Sequence, residues 1–191
     1  MSEILEIEYK SILTQKEYIH LIQYYHLKTD DFTVQTNNYF DTLDAQLAKK
    51  NCGLRIRLFD TYAEYTLKTP TNEGKLETTE TLKKEEALSL MKQQQLPRNG
   101  AVFQKLLKLS IKIDDLNKIG EITTKRAEVH IDEGILAIDE SFGEHLHDFE
   151  LELEVTDPFF GKSAFLTLLK GFSFPYRPAK NKIQRMLEAK N

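Results

Sequence analysis

Several short stretches of this chain alternate charged with apolar residues, the pattern of a β-strand with one charged face and one apolar face. Near the N-terminus, EIEYK places Glu6, Glu8 and Lys10 on one face of such a strand, and Ile7 and Tyr9 on the other. The same alternation recurs in GLRIRLF (53–59), YTLK (65–68), KRAEVHI (125–131) and FELELEV (149–155). A sheet built from these strands has a charged face that lies in water or lines an enclosed space.

The sequence gives two reasons to expect that the charged face is enclosed. First, the charges are segregated, because GLRIRLF carries Arg55 and Arg57 whereas FELELEV carries Glu150, Glu152 and Glu154. Carboxylates in a row repel one another unless a cation lies among them. Second, the predicted helices are amphipathic, and a sheet that receives their apolar faces must turn its apolar residues toward them. We therefore expect the charges to point inward, although a solvated charged face is the ordinary alternative.

Composition restricts the class of protein. A chain of 191 residues with 40% hydrophobic residues is expected to form a single domain, 1–191, with its own core. The net charge of −4 does not favour nucleic acid or an anionic membrane as a partner. The single cysteine, Cys52, excludes an internal disulfide, and the acidic N-terminus does not resemble a signal peptide. We expect a cytoplasmic protein without a membrane or disulfide partner.

Periodicity and turn residues predict about eight strands, joined mostly as hairpins. The strands are expected at 4–13, 33–40, 54–59, 62–67, 75–80, 120–131, 134–139 and 147–155, and DTLDAQLAKKN (41–51) is expected to form a turn. Helices are expected at 16–26, where Thr14 and Glu17 form a capping box, and at 85–95, 102–109, 161–170 and 178–188, where Pro178 occupies the first turn. The predicted fold class is α+β: an eight-stranded antiparallel β-barrel, closed or nearly closed, with helices packed outside.

A small barrel lined by separate acidic and basic strands suits a particular kind of ligand. Carboxylates bind hard divalent cations, and arginines and lysines bind phosphates. No glycine-rich loop ending in GK[ST] is present, so a phosphate group must be bound in another way. His145 and His147 lie beside Asp148 but lack further ligands at a useful spacing, so we do not expect a metal site there.

These features together resemble the CYTH domains, also called triphosphate tunnel metalloenzymes. The signature of that family is ExExK, matched here by Glu6-Ile7-Glu8-Tyr9-Lys10. Further similar elements follow in the family's order over essentially the whole chain: NYFDT (38–42), GLRIR (53–57), YTLK (65–68), ETTE (77–80), KR (125–126), LAID (136–139), ELELEV (150–155) and a basic C-terminal helix. The resemblance implies an eight-stranded tunnel that binds triphosphate groups together with Mg²⁺ or Mn²⁺.

The resemblance also implies roles for particular residues. The implied metal ligands are Glu6, Glu8, Glu152 and Glu154, with Glu150 as the alternative one step along the strand. The implied triphosphate ligands are Lys10, Arg55, Arg57, Lys68 and Arg126, joined by cations of the closing helix among Lys180, Lys182 and Arg185. The residues expected to take part in catalysis are Glu8, Lys10 and Arg57. Further inward acids, each with a solvated position as the alternative, are Glu77, Glu80 and Asp139.

The function that the resemblance implies is metal-dependent hydrolysis of an inorganic or organic triphosphate, such as tripolyphosphate, thiamine triphosphate or a nucleoside triphosphate. Two alternatives would use the same pocket. One is a class IV-type adenylate cyclase, which also needs a purine subsite that the sequence does not mark. The other is a protein that binds polyphosphate or a nucleotide without turnover. A barrel for an unrelated small ligand and a homodimer also stay open, since the sequence identifies no dimerisation face.

Overall fold

The computed structural model describes residues 1–155 and 157–189, and eight β-strands run through this part of the chain. They are β1 (Ser2–Leu13), β2 (Phe32–Thr42), β3 (Gly53–Leu58), β4 (Tyr62–Pro70), β5 (Lys75–Lys83), β6 (Leu116–Ile131), β7 (Gly134–Gly143) and β8 (Leu146–Val155). Every predicted strand is found. Most extend beyond the predicted ends, because the ladder of backbone hydrogen bonds continues through residues that do not alternate clearly.

Six α-helices accompany the strands in the described residues. They are α1 (Gln15–Tyr24), α2 (Gln46–Lys49), α3 (Lys84–Lys92), α4 (Gly100–Lys108), α5 (Pro158–Gly171) and α6 (Lys182–Ala189). The predicted capping box is confirmed, because Thr14 Oγ1 accepts from Glu17 N and the Glu17 carboxylate accepts from Thr14 N at 2.7 Å. Across residues 1–155 and 157–189, no helix is both long enough and apolar enough to cross a lipid bilayer.

The strands form an antiparallel sheet that closes into a barrel, with the neighbour order β1-β5-β4-β3-β2-β6-β7-β8. The predicted α+β class and the closed eight-stranded barrel are thus confirmed. Within this topology the chain forms two compact units. The first consists of Met1–Leu5 and Gln35–Glu121, and the second of Glu6–Val34 and Ile122–Asn191. The prediction of a single domain over residues 1–191 stays a prediction.

In the second unit, the apolar residues of β1, β7 and β8 pack against α1 and α5. Leu151 and Leu153 of β8 are fully buried in the same core as Leu21 of α1 and Phe165 of α5. Burial of such side chains contributes roughly 2 kcal/mol each and fixes which face of the strand meets the helices. Because side chains alternate along a strand, Glu152 and its charged neighbours lie on the opposite face.

The first unit has a core of its own with the same arrangement. Ile56 of β3 and Leu67 of β4 are fully buried, together with Val102 and Leu106 of α4. The intervening Arg57 therefore lies on the face of β3 that is turned away from α4. In each unit the apolar strand face meets helices, as the sequence predicted, and the charged face does not share that packing.

The segment DTLDAQLAKKN, predicted to be a turn, contains the short helix α2. Asp41 fixes this helix, because its Oδ1 accepts a hydrogen bond from Leu47 N at 2.9 Å and its Oδ2 accepts one from Ala48 N at 3.0 Å. An aspartate that binds the first N–H groups of a helix stabilises it through both hydrogen bonds and the helix dipole. The aspartate of the NYFDT motif thus has a structural role.

The prediction that Pro178 lies in the first turn of a helix is wrong. The last helix, α6, begins at Lys182, and Pro178 instead forms an antiparallel β-bridge with Ser11. Pairing with β1 keeps this segment extended, which overrides the preference of proline for the first turn of a helix.

Candidate functional site

Pairing of β1 with β8 brings the N-terminal signature next to the glutamate-rich strand. In this register Glu8 is opposite Glu154, and Lys10 is opposite Glu152. The Lys10 Nζ lies 2.9 Å from Glu8 Oε1 and 3.4 Å from Glu152 Oε2. Burial disfavours the charged ammonium, but Glu152, Glu8 and Glu150 outweigh it and raise the pKa of Lys10. Lys10 therefore joins two carboxylates from different strands.

Arg126 extends this network to β7. Its Nε and Nη2 donate to the two carboxylate oxygens of Asp139 at 2.8 and 2.7 Å, and Nη2 also donates to Glu152 Oε2 at 3.1 Å. Asp139 is completely buried. Although burial opposes ionisation, Arg126 and Lys182 lower the pKa of Asp139 to about 2. Lys10 and Arg126 likewise overcome burial and hold the pKa of Glu152 well below its usual range. Both carboxylates are ionised at neutral pH.

Two cations of α6 complete the network. The Lys182 Nζ lies 2.8 Å from Asp139 Oδ2 and 3.9 Å from Glu152 Oε2, and it also contacts Glu150 Oε1. Arg185, three residues later on the same helix face, donates from Nη1 to Glu150 Oε2 at 2.7 Å and from Nε to Asp148 Oδ2 at 2.6 Å. Despite burial, these carboxylates raise the pKa values of both Lys182 and Arg185. Helix α6 thus supplies two of the four cations in the network, Lys182 and Arg185, and the strands supply Lys10 and Arg126.

Three carboxylates of this network could hold a metal ion together. One oxygen from each of Asp139, Glu150 and Glu152 lies within 4.8 Å of the other two, and all three residues are buried. We call these residues the carboxylate trio. Their donor atoms are all anionic oxygens, which is the ligand type that Mg²⁺ and Mn²⁺ prefer. The trio therefore fits the chemistry of a hard divalent cation.

The trio overlaps only in part with the predicted metal ligands. Glu152 belongs to both sets, and Glu150 was the predicted alternative one step along β8. Glu8 reaches Glu152 through Lys10, whereas Glu154 pairs with Glu8 and Ile135 in the strand register. The role of the predicted set, Glu6, Glu8, Glu152 and Glu154, stays a prediction.

The first unit carries a separate group of cations on β3 and β4. The Arg55 Nη2 and the Lys68 Nζ lie 3.2 and 3.0 Å from the same oxygen of Glu77. The Arg57 Nε donates to Asn37 Oδ1 at 2.9 Å. We call Arg55, Arg57 and Lys68 the basic group. Its members are partly buried, with 12–18% of each side chain exposed, so each cation is both held in place and reachable from solvent.

Two residues expected at the site, Lys180 and Glu80, bind partners outside the ion-pair network. Lys180 precedes α6 and binds Glu188 at 2.6 Å with 61% of its side chain exposed, so it lies outside the network of Lys182. Glu80 lies on the helix-facing side of β5, where its carboxylate accepts from Ala101 N at 2.8 Å and Val102 N at 3.3 Å. Glu80 caps α4, while Glu77 lies on the charged face.

The sequence did not reveal two residues that orient the cations. Asn37 precedes the NYFDT motif and is opposite Arg57 in the register of β2 and β3. Asp148 binds Arg185 and has the same strand parity as Glu150 and Glu152. The period-two pattern could have identified Asp148, because it places this residue on the same strand face as Glu150 and Glu152. The role of Asn37 depends on the register between β2 and β3 and could not be found in this way.

Comparison with known proteins gives consistent matches over the whole chain. A sequence model described as the CYTH domain matches residues 5–187. The protein "Putative triphosphatase YjbK" of Bacillus subtilis (strain 168) is 38% identical over 190 residues, which cover 100% of this chain and 98% of that protein.

Solved structures give the same result for the fold. A crystal structure of a "putative adenylate cyclase" from Bacillus halodurans is 39% identical and superposes with a TM-score of 0.91, covering 97% of this chain and 98% of that one. The structure of HpAC1 from Hippeastrum, at 23% identity, covers 96% of each chain with a TM-score of 0.79. At 23% identity, the likeness to the Hippeastrum protein concerns the fold alone.

Proposed function

Because the chain belongs to the CYTH domain family, we propose that it is a divalent-metal-dependent triphosphatase, that is, a phosphoric anhydride hydrolase. The observation that carries the proposal is the carboxylate trio, held among the cations of Lys10, Arg126 and Lys182. A triphosphate with its metal ion needs carboxylates for the metal and cations for the phosphate oxygens. The name of the Bacillus subtilis relative, which is 38% identical, supports the same activity.

The carboxylate trio is our proposed binding site for Mg²⁺ or Mn²⁺. When bound, a divalent ion offsets negative charge on phosphate oxygens and makes a coordinated water more acidic. The low pKa values of Asp139 and Glu152 keep these two ligands ionised at neutral pH, as metal binding requires. The alternative ligand set that the resemblance implied shares Glu152 with the trio and adds Glu6, Glu8 and Glu154.

The basic group is our proposed site for phosphate oxygens. A guanidinium offers a planar fork of N–H donors that matches two phosphate oxygens, and a lysine offers a point charge. Asn37 holds Nε of Arg57, and Glu77 holds both Arg55 and Lys68. Such partners reduce the rotamer freedom that each side chain loses when it binds an anion.

Positioning and electrostatic stabilisation account for most of the catalysis in phosphoryl transfer. We propose that Lys10 orients Glu8 and Glu152 and offsets negative charge near the phosphates. Glu8 is the better placed of the two carboxylates to accept a proton from water, since 17% of its side chain is exposed against 9% for Glu152. Arg57 is proposed to stabilise the charge on the transferred group.

A product assay tests the function. Purified protein would be incubated with tripolyphosphate, thiamine triphosphate or ATP, each with Mg²⁺, Mn²⁺ or EDTA. We expect metal-dependent release of orthophosphate, with tripolyphosphate a sufficient substrate because the proposed contacts are all to the polyphosphate chain. Glu152→Gln should abolish this release. Glu121→Gln, which alters an exposed ion pair with Lys118, is the matched control and should retain full activity.

A second candidate is adenylate cyclase, because the Bacillus halodurans relative carries that name at 39% identity. Cyclic AMP and pyrophosphate formed from ATP, with tripolyphosphate left intact, would replace the triphosphatase proposal by this one. Tight binding of tripolyphosphate without any product would instead support a binding protein. A thermal shift caused by tripolyphosphate but not by sulfate would report such binding.

We also propose that the protein works in the cytoplasm, on the basis of its single cysteine, Cys52. A fractionation experiment with an antibody against the protein tests this location.

A further inference from the structure

The segment between α5 and α6 is attached to the end of β1 through its backbone. Ile12 N donates to Arg177 O at 2.9 Å, and Arg177 N donates to Ser11 Oγ at 3.0 Å. Ser11 is completely buried and forms a β-bridge with Pro178. The chain is therefore fixed to β1 only four residues before α6 begins.

The side chain of Arg177 adds a second attachment at the same place. Its Nη1 and Nη2 donate to the two carboxylate oxygens of Glu17 at 2.8 and 3.1 Å, and Nη1 also donates to Ile12 O at 3.2 Å. Glu17 is in turn fixed by the capping box with Thr14 at the start of α1. A single guanidinium thus joins α1, β1 and the segment that leads into α6.

Helix α6 needs such an attachment because it is short. An isolated helix of eight residues is unstable in water, so its position must come from tertiary contacts. Met186 is buried, and Lys182 and Arg185 bind acids of β7 and β8. A ligand that competes for the carboxylates weakens these polar contacts, whereas it leaves the attachment at Arg177 intact.

We propose that Arg177 is a positioning residue. Its hydrogen bonds to Glu17 and Ile12 hold α6 so that Lys182 and Arg185 can act on the carboxylate trio and on bound phosphate. This inference rests on the proposed function, because the role of Lys182 in the reaction belongs to that proposal. Arg177 itself lies among Glu17, Ile12 and Ser11 and acts through the helix that follows it.

Kinetics of four variants test the proposal: Arg177→Gln, Arg177→Lys, Glu17→Gln and the double variant Arg177→Gln/Glu17→Gln. Glu17→Gln is a mild change, since glutamine also serves in a capping box. We expect Arg177→Gln to raise KM for tripolyphosphate about tenfold with a smaller effect on kcat, and Arg177→Lys to restore part of this loss. The double variant should resemble Arg177→Gln alone, because both changes break the same contact.

A second measurement separates positioning from general stability. Hydrogen exchange should become faster in peptides that cover residues 182–189 of Arg177→Gln, while peptides from α5 and β8 exchange as in the wild type. In a Lys182→Ala/Arg185→Ala background, Arg177→Gln should add little to the rise in KM, because its effect passes through these two side chains. The matched control is Arg98→Gln, which removes an exposed ion pair with Asp114 and should change neither measurement.

The proposal is overturned if Arg177→Gln leaves both KM and the exchange of α6 unchanged. It is also overturned if exchange accelerates uniformly along the chain while KM stays constant, because that result describes a structural residue. Inactivity of the wild type toward every triphosphate would defeat the proposed function instead. In that case unchanged hydrogen exchange of α6 in Arg177→Gln still refutes the positioning role of Arg177, and faster exchange confined to α6 still supports it.

Discussion

The Lys182 Nζ lies 2.8 Å from Asp139 Oδ2, so the closing helix places an ammonium within the carboxylate trio. The same ammonium contacts Glu150 and lies 3.9 Å from Glu152. A cation at this position offsets the repulsion among three buried carboxylates. On our proposal a divalent ion binds the same oxygens, so Lys182 and the metal compete for them.

Replacement of Lys182 by methionine should therefore reduce stability more without metal than with it. In EDTA, we expect the free energy of unfolding to fall by about 3 kcal/mol, because a buried charge pair loses one partner. Mn²⁺ should bind more tightly than in the wild type and should restore much of this stability. Urea denaturation at several Mn²⁺ concentrations measures both effects.

Lys180→Met is the matched control for this prediction, because Lys180 lies close in sequence but pairs with the exposed Glu188. It should change stability by less than about 1 kcal/mol and leave the response to Mn²⁺ unaltered. Equal behaviour of the two variants would refute the competition between Lys182 and metal.

The buried Asp139 should make the metal-free protein sensitive to acid in a defined range. Against the cost of burial, Arg126 and Lys182 lower the pKa of Asp139 from 3.8 to about 2. Between these values the unfolded chain binds more protons than the folded one, so stability rises with pH. The contribution of Asp139, roughly 2 kcal/mol, is complete at neutral pH and is lost progressively between about pH 5 and pH 1.

Urea denaturation in EDTA between pH 2 and pH 7 checks this prediction. Asp139→Asn should be less stable than the wild type at pH 7 and should show a smaller decline toward pH 2. Asp114→Asn, at an exposed site, should follow the wild-type curve. A wild-type decline that persists undiminished in Asp139→Asn would assign the acid sensitivity to other groups.

Arg57→Lys tests whether the basic group binds phosphate through guanidinium geometry and not through charge alone. The lysine keeps the positive charge but has neither the planar fork nor the Nε that donates to Asn37. We expect kcat/KM for tripolyphosphate to fall about a hundredfold with little change in thermal stability. Arg98→Lys, on an exposed ion pair, is the control. Unchanged kinetics in Arg57→Lys would remove this residue from the site.

Two glutamates of the same strand should behave differently when each is changed to alanine. Glu80→Ala removes the cap of α4 and should reduce stability by about 1–2 kcal/mol without altering KM. Glu77→Ala removes the partner of Arg55 and Lys68 and should reduce kcat/KM about tenfold with a smaller stability loss. Steady-state kinetics and urea denaturation distinguish the two variants. A kinetic loss in Glu80→Ala together with a stability loss in Glu77→Ala would contradict the assignment of Glu77 to the charged face of β5 and of Glu80 to the helix-facing side.

The period-two pattern was sufficient to predict which strand residues share a face. Glu8 and Lys10 on β1, Arg55 and Arg57 on β3, and Glu152 on β8 all lie on the charged parity, as the alternation predicted. This success has a simple cause, because the direction of a side chain along a strand depends only on local geometry.

The grouping of individual residues could not be predicted in the same way, since it depends on register and on packing between distant segments. Asp139 joins Glu150 because β7 and β8 pair at that step, and one residue of slip would separate them. The start of α6 was misplaced because Pro178 pairs with Ser11, far away in sequence. Local preference predicted a helix there, and tertiary contacts prevailed.

The most direct test of the proposed site is the anomalous scattering of Mn²⁺ in crystals of the wild type grown with a slowly hydrolysed analogue of tripolyphosphate. We predict an Mn²⁺ peak about 2.2 Å from a carboxylate oxygen of Glu152, with further ligands from the trio or from Glu8. The further ligands would decide between the two proposed sets. Manganese bound only by exposed acids, with Glu152 still held by Lys10 and Arg126, would contradict the proposed metal site.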